Sequence, residues 1–140
     1  MNTWTNRGKT RLADGTYDAG NLTLALLTAT PTEAAALDWN TEADLVDEVT
    51  TGAVASYARA AMSTATIAED DTANESTIDF ADTSFGTLEV GATVTCTAAL
   101  DLTSDEVMWV AETATPTPTS GDTFTIVWPA NGAAAIVQPA

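Results

Sequence analysis

A chain of 140 residues suits one domain and is too short for two. Apolar residues at 45% argue against disorder, while aromatics at 6%, with 27 Ala and 27 Thr, demand a core of small side chains. Twenty acids against four bases give a formal charge of −16 and argue against a nucleic-acid binder; the absence of His removes the usual general base, metal ligand and partner of a nucleophilic Ser or Cys.

Residues 1–20 are polar and hold Arg7, Lys9 and Arg11, every positive charge except Arg59. Asp14-Gly15 and Gly20-Asn21 are turn signals, so this stretch reads as an N-terminal arm or a first short element, ahead of a single domain over 21–140. Met1 to Lys9 lacks an apolar stretch of signal-peptide length, and no run approaches the ~20 apolar residues of a membrane span. The expectation is a soluble protein made in a cytoplasm, with no membrane contact.

Leu22 to Thr28 places Leu22, Leu24 and Leu26 on one face of a strand that Thr30-Pro31 ends. Glu33 to Leu37 carries helix formers behind a Thr32 cap, within a loop that reaches Val49. A second strand is expected from about Ser56 to Ile67 with the Met62 face inward, then a charged turn at Glu69-Asp70-Asp71 and a short strand at Thr77 to Phe80. Thr83 to Gly86 reads as a turn. Beyond Gly91, Val94, Cys96, Ala98 and Leu100 share one face of a strand, and Thr93, Thr95, Thr97 and Ala99 suit an exposed one.

Val107 to Ala111 is a short apolar run, as in a strand covered on both sides or at an interface. Thr115 to Asp122 is a loop fixed by two prolines. Phe124, Ile126 and Trp128 alternate with Thr123, Thr125 and Val127, and Pro129 to Gly132 turns into a last apolar piece, Ala133 to Val137. Short alternating segments between turn residues predict an all-β fold, an antiparallel β-sandwich of jelly-roll or immunoglobulin-like type with an extended N-terminal arm.

Few residues suggest chemistry. Cys96 has no partner for a disulfide and reads as a buried free thiol. Asp70, Asp71, Asn74 and Glu75 could offer oxygens to a hard cation, but neither Asp start places Gly at the sixth position, and a solvated acidic turn is preferred. Carboxylate pairs could be drawn from Asp79, Asp82, Asp101 and Asp105, yet among twenty acids such pairs carry no information. Asn21 and Asn74 head glycosylation triplets, with Asn74 the better placed. No cofactor and no metal are expected. Trp109 and Trp128 read as core anchors, and Trp39, between polar residues, could stack on a glycan.

The scarcity of Lys, the excess of Asp over Glu and the Thr-rich remainder resemble proteins adapted to brine, where the Debye length falls to about 3 Å at 1 M salt and like charges are screened. Arg11 to Asp18 followed by Leu22 to Thr28, then Tyr57-Ala58-Arg59, Asp70 to Asn74, and above all Ser120 to Gly132 resemble, in order, the motifs of a group of small virion structural proteins of tailed viruses. The resemblance covers most of the chain; the family's aliphatic strand stands here as Val107-Met108-Trp109-Val110.

What this resemblance implies is a non-enzymatic capsid decoration, cement or turret protein on the virion surface, made in the host cytoplasm. With the brine-like charge, the virus would infect a halophile, a haloarchaeon in particular. Its partners would be the major capsid protein and copies of itself in a cyclic homo-oligomer. Trp4, Arg7, Lys9 and Arg11 are the expected contacts with the shell or a neighbouring copy. A tail or fibre domain using Trp39 on a host-surface glycan is the alternative, and a carboxylate enzyme the third possibility.

Overall fold

The computed structural model describes residues 1–49, 57–62, 65–70, 75–87, 93–113, 123–128 and 134–137. The chain is all-β and antiparallel, and its described residues include two short helices. A five-stranded sheet has the order β1 (Asn2–Trp4), β8 (Val107–Glu112), β7 (Cys96–Asp101), β2 (Leu22–Leu27), β3 (Ala60–Ala61). A three-stranded sheet has the order β10 (Ala134–Val137), β5 (Glu75–Phe80), β4 (Ala65–Asp70), and β6 (Thr83–Thr87) pairs with β9 (Thr123–Ile126).

The large sheet is apolar on both faces, because its central strands read as nearly unbroken small and aliphatic runs. On one face, Leu22, Leu24, Leu26, Ala99, Met108 and Trp109 meet Ile78, Phe80, Phe85, Phe124, Ile126 and Trp128 from the smaller sheets. On the other, Ala25, Leu27, Cys96, Ala98, Leu100, Val107 and Val110 pack with Ala36 and Leu45. Ala36 belongs to α2 (Glu33–Asp38), where the Thr32 hydroxyl accepts the Ala35 N–H at 3.2 Å, and Leu45 follows a single 3-10 turn at Glu42–Asp44.

The first core corrects the expectation of an exposed threonine on β7, for Thr97 stands opposite Leu26 and Ala111, both buried in that core. Thr97 is 0% exposed, and its hydroxyl satisfies itself by donating to the Ala111 carbonyl at 3.2 Å. The strand expected from Ser56 to Ile67 is also divided, into β3 and β4; Ser56, Ser63 and Thr64 lie outside the described residues. Met62 is buried as expected, but so is Tyr57 from the opposite parity. Thr83 to Gly86, expected as a turn, belongs to β6, where Gly86 takes a positive φ of 70° at the shift of register against β9. The expected turns at 115–122 and 129–132 lie outside the described residues.

The first twenty residues are a short folded element and do not extend as an arm. β1 pairs with β8, Trp4 opposite Trp109, and leads into α1 (Asn6–Ala13). A bulge in β8 prepares this junction: Ala99 faces Trp109 and Leu100 faces Val107, so Met108 is the extra residue. The bulge lets Met108 and Trp109, neighbours in sequence, both enter the first core. It also frees the Met108 carbonyl to accept the Thr5 N–H at 3.1 Å.

Thr5 in turn caps α1, accepting the Gly8 N–H at 2.9 Å while its hydroxyl donates to the Val107 carbonyl at 2.6 Å. Gly8 is required by this approach, since a Cβ there would lie 2.0 Å from the Met108 oxygen.

Candidate functional site

Helical spacing divides the expected contact residues of α1. Arg7 and Arg11 are four apart and share a side of the helix, while Lys9 points elsewhere and is exposed. Both guanidiniums turn to Glu106 at the foot of β8: Arg11 donates from Nε at 2.8 Å and Nη2 lies at 2.7 Å from Oε2, and Arg7 Nε lies 3.3 Å from Oε1. Arg11 also donates from Nη1 to the Thr16 hydroxyl at 3.2 Å, and its pKa is raised by the hydrogen bond and charge of Glu106. Glu106 is largely buried, so one carboxylate locks the helix to the sheet and leaves Lys9 as the outward cation of the segment.

The two tryptophans of the expected set lie on opposite faces of the large sheet. Trp4 packs against the first core and meets Tyr17 edge to face, ring centroids 5.2 Å apart at 69°. Trp39 packs, half-buried, against the second core beyond the end of α2. The nearest link between the two regions is Asn6, whose amide donates to Asp38 Oδ1 at 3.4 Å. The structure thus brings Arg7 and Arg11 together and sets Lys9, Trp4 and Trp39 apart from them.

Beneath Trp4, burial pushes the Tyr17 hydroxyl up to about 12 while the nearby Trp109 indole acts in the opposite sense. Trp109 and Trp128 are core residues as expected, meeting edge to face at 5.6 Å and 81°.

A second ionic cluster was not anticipated from sequence. Arg59 holds Glu48 with both ends of its fork, Nε to Oε1 at 2.7 Å and Nη2 to Oε2 at 2.6 Å, and reaches Glu42 from Nη1 at 2.9 Å. Tyr57 donates to the same Glu48 Oε1 at 2.8 Å. Hydrogen bonding to Glu48 raises the Arg59 pKa, and burial raises that of Tyr57. The only signal in the chain was the isolated base of Tyr57-Ala58-Arg59 downstream of a run of acids.

The remaining candidates serve local structure. Cys96 is a free, buried thiol that burial pushes up to about 11. Asp82 accepts the Trp128 N–H at 3.1 Å. Asp101 closes the β7–β8 turn by accepting from the Thr103 and Ser104 N–H groups at 2.9 and 2.8 Å; against the opposing pull of partial burial, these bonds hold its carboxyl below the usual range.

Asp79 is half-buried on β5, and Asp105 takes a positive φ of 55° in the β7–β8 turn. Asn21 donates to the Thr103 hydroxyl at 2.8 Å. Asp71 and Asn74 lie outside the described residues, and Asp70 stands opposite Glu75 in the β4–β5 register. Among the described residues, no group of three or more His, Cys, Asp or Glu is placed to hold a metal ion, and no helix is long and apolar enough to cross a membrane.

No family model matches the chain, and neither the curated proteins nor the solved structures contain a significant match to it.

Proposed function

We propose that this chain is a non-enzymatic structural protein of a tailed-virus particle, decorating or stabilising the capsid surface in brine. The observation that carries the reading is where the motif residues go. Arg11 clamps α1 through Glu106, Tyr57 and Arg59 clamp the 41–49 segment through Glu48, and Phe124, Ile126 and Trp128 fill the core. The residues that resemble the virion proteins are thus spent on rigidity, which suits a passive building unit better than a working site.

Charge supports the same reading. Of four basic side chains, Arg7, Arg11 and Arg59 are held by acids of the same chain, so the outward face is acid and threonine with Lys9 as its described free cation. Such a surface tolerates close packing into a lattice only where salt screens it. Many copies, each binding the major capsid protein and one another weakly, would gain avidity from the symmetry of the shell.

Two layers of strands about the first core suggest a β-sandwich for the unit, and the glycan-binding alternative asked for an open Trp39 that instead leans on the second core. Quantitative protein staining of purified particles tests the proposal. Stoichiometric presence supports it; absence from mature particles, or turnover of a substrate, overturns it.

A further inference from the structure

We infer that β4 is a self-pairing edge, through which two copies of this chain join their three-stranded sheets about a two-fold axis at Ile67. The inference deepens the reading of a self-associating virion unit and rests on it for its purpose. In the β4–β5 register Ile67 stands directly opposite Ile78, so both side chains lie on the same face of the sheet. Ile78 is buried in the first core, yet Ile67 is 68% exposed. The core-facing surface of this sheet therefore overhangs the core at β4, and Ile67 lacks cover from the described residues of its own fold.

The backbone beside it is equally open. β4 is the outer strand of its sheet, six residues in unbroken register with β5, and Thr66, Ile67, Ala68 and Glu69 are all exposed. Edges of this kind are usually defended by proline, lysine, a bulge or shortness. The other described edges are shorter or interrupted: β1 has three residues and runs into a helix, β3 has two, β10 has four, and the β6–β9 pair is broken by a shift of register. From Ala65 to Asp70 there is neither Pro, Lys nor bulge.

The occupant is selected by charge and parity. A two-fold perpendicular to a sheet can pair a strand antiparallel with its own copy only about a residue, because opposed side chains must share a face. Centred on Ile67, the pairing sets Ile67 against Ile67, Thr66 against Ala68 and Ala65 against Glu69, with no acid facing an acid. Centred on Glu69 it opposes two carboxylates, and centred on Ala68 it sets Ile67 against Glu69. The Ile67 register alone buries the overhanging side chain against its equivalent and continues the sheet from three strands to six.

The test is cysteine crosslinking of the full chain in molar KCl, which screens repulsion between two strongly acidic copies. Opposed residues in an antiparallel pair have Cα atoms about 4.5–5.5 Å apart, within disulfide reach. Ile67→Cys is compared with Val127→Cys, which is equally exposed at 70% but lies just beyond β9, outside the three-stranded sheet; native Cys96 is buried. On oxidation Ile67→Cys should give a covalent dimer about tenfold faster or more than the control, and light scattering should show Ile67→Lys to be more monomeric than the unmodified protein. Equal crosslinking rates, or an unchanged association state in Ile67→Lys, overturn the inference. Crosslinking in a protein missing from particles would sink the virion reading and leave the edge standing; the reverse pattern would do the opposite.

Discussion

The Tyr57 hydroxyl accepts the backbone N–H of Leu26, a core residue of β2, at 3.1 Å. One edge of β2 is shared by two separate segments, residues 47–49 toward its end, where Val49 N–H donates to the Leu26 carbonyl, and β3 toward its start. Tyr57 bridges the interval with a side chain where a neighbouring strand would otherwise be needed.

Removing that hydroxyl therefore leaves a buried amide unpaired. Tyr57→Phe is expected to lower stability by about 1–3 kcal/mol, more than a typical exposed Tyr→Phe change. Urea unfolding of the two proteins measures it, and an unchanged midpoint would show that the amide finds another partner.

Gly8→Ala should be among the most harmful single changes outside the core. Its methyl would collide with the bulged Met108 carbonyl, backbone against backbone, so α1 must lift from β8. A loss of about 3 kcal/mol or more is expected, read as a lowered thermal midpoint. A stable variant would mean that the helix can slide without disturbing the Arg11–Glu106 contact.

Salt should raise stability. With −16 on the chain and three of four bases already paired within it, added KCl has chiefly repulsion to screen. The thermal midpoint in molar KCl should exceed that in dilute buffer, by about 4 °C for each kcal/mol relieved. A midpoint that falls or stays level would contradict adaptation to brine.

Alkali should unfold the protein ahead of ordinary side-chain ionisation of the native state. Burial pushes Cys96 from 9.0 to about 11 and Tyr17 from 10.0 to about 12. Below the lower values both groups are protonated whether folded or not, and full stability is present. Above them the unfolded chain ionises first, so stability drains away between about pH 9 and 12. Tyr17→Phe should flatten the upper part of that decline in urea midpoints measured against pH.

The thiol offers a simpler check. Cys96 lies within the second core, and its raised pKa leaves little thiolate at neutral pH. A disulfide reagent should modify it at the rate of global unfolding; rapid labelling of the native protein would show that α2 and the 3-10 turn open locally.

Strands whose pattern agreed with their surroundings were legible in the sequence. β2 was plain from Leu22, Leu24 and Leu26, β8 from its unbroken apolar run, and β9 from Phe124, Ile126 and Trp128. Thr97 of β7 misled because threonine fits an open sheet face and, with its hydroxyl bonded, a closed one; only the position of the smaller sheets over the first core decides between them. The bulge at Met108 leaves no trace in composition, since it is a property of two strands in register and not of either alone.

At the contact residues, the first twenty positions read as an arm or short element, so the four-residue spacing of Arg7 and Arg11 carries no signal there, and their partner Glu106 lies 95 residues from Arg11 and could not be singled out among twenty acids. Tyr57 looks outward by parity because the sequence reads as one strand from Ser56, whereas β3 begins only at Ala60.

The junction of Thr5 with Val107, residues 102 apart, also sets an order of events. The start of the chain can find its place only after β7 and β8 have formed their hairpin, so until then its α1 has nothing to rest upon. Such distant pairing slows folding through the cost of loop closure. A ribosome making this protein must release the chain past Glu112 before its beginning can dock, and the nascent molecule waits meanwhile with the edge of β8 bare.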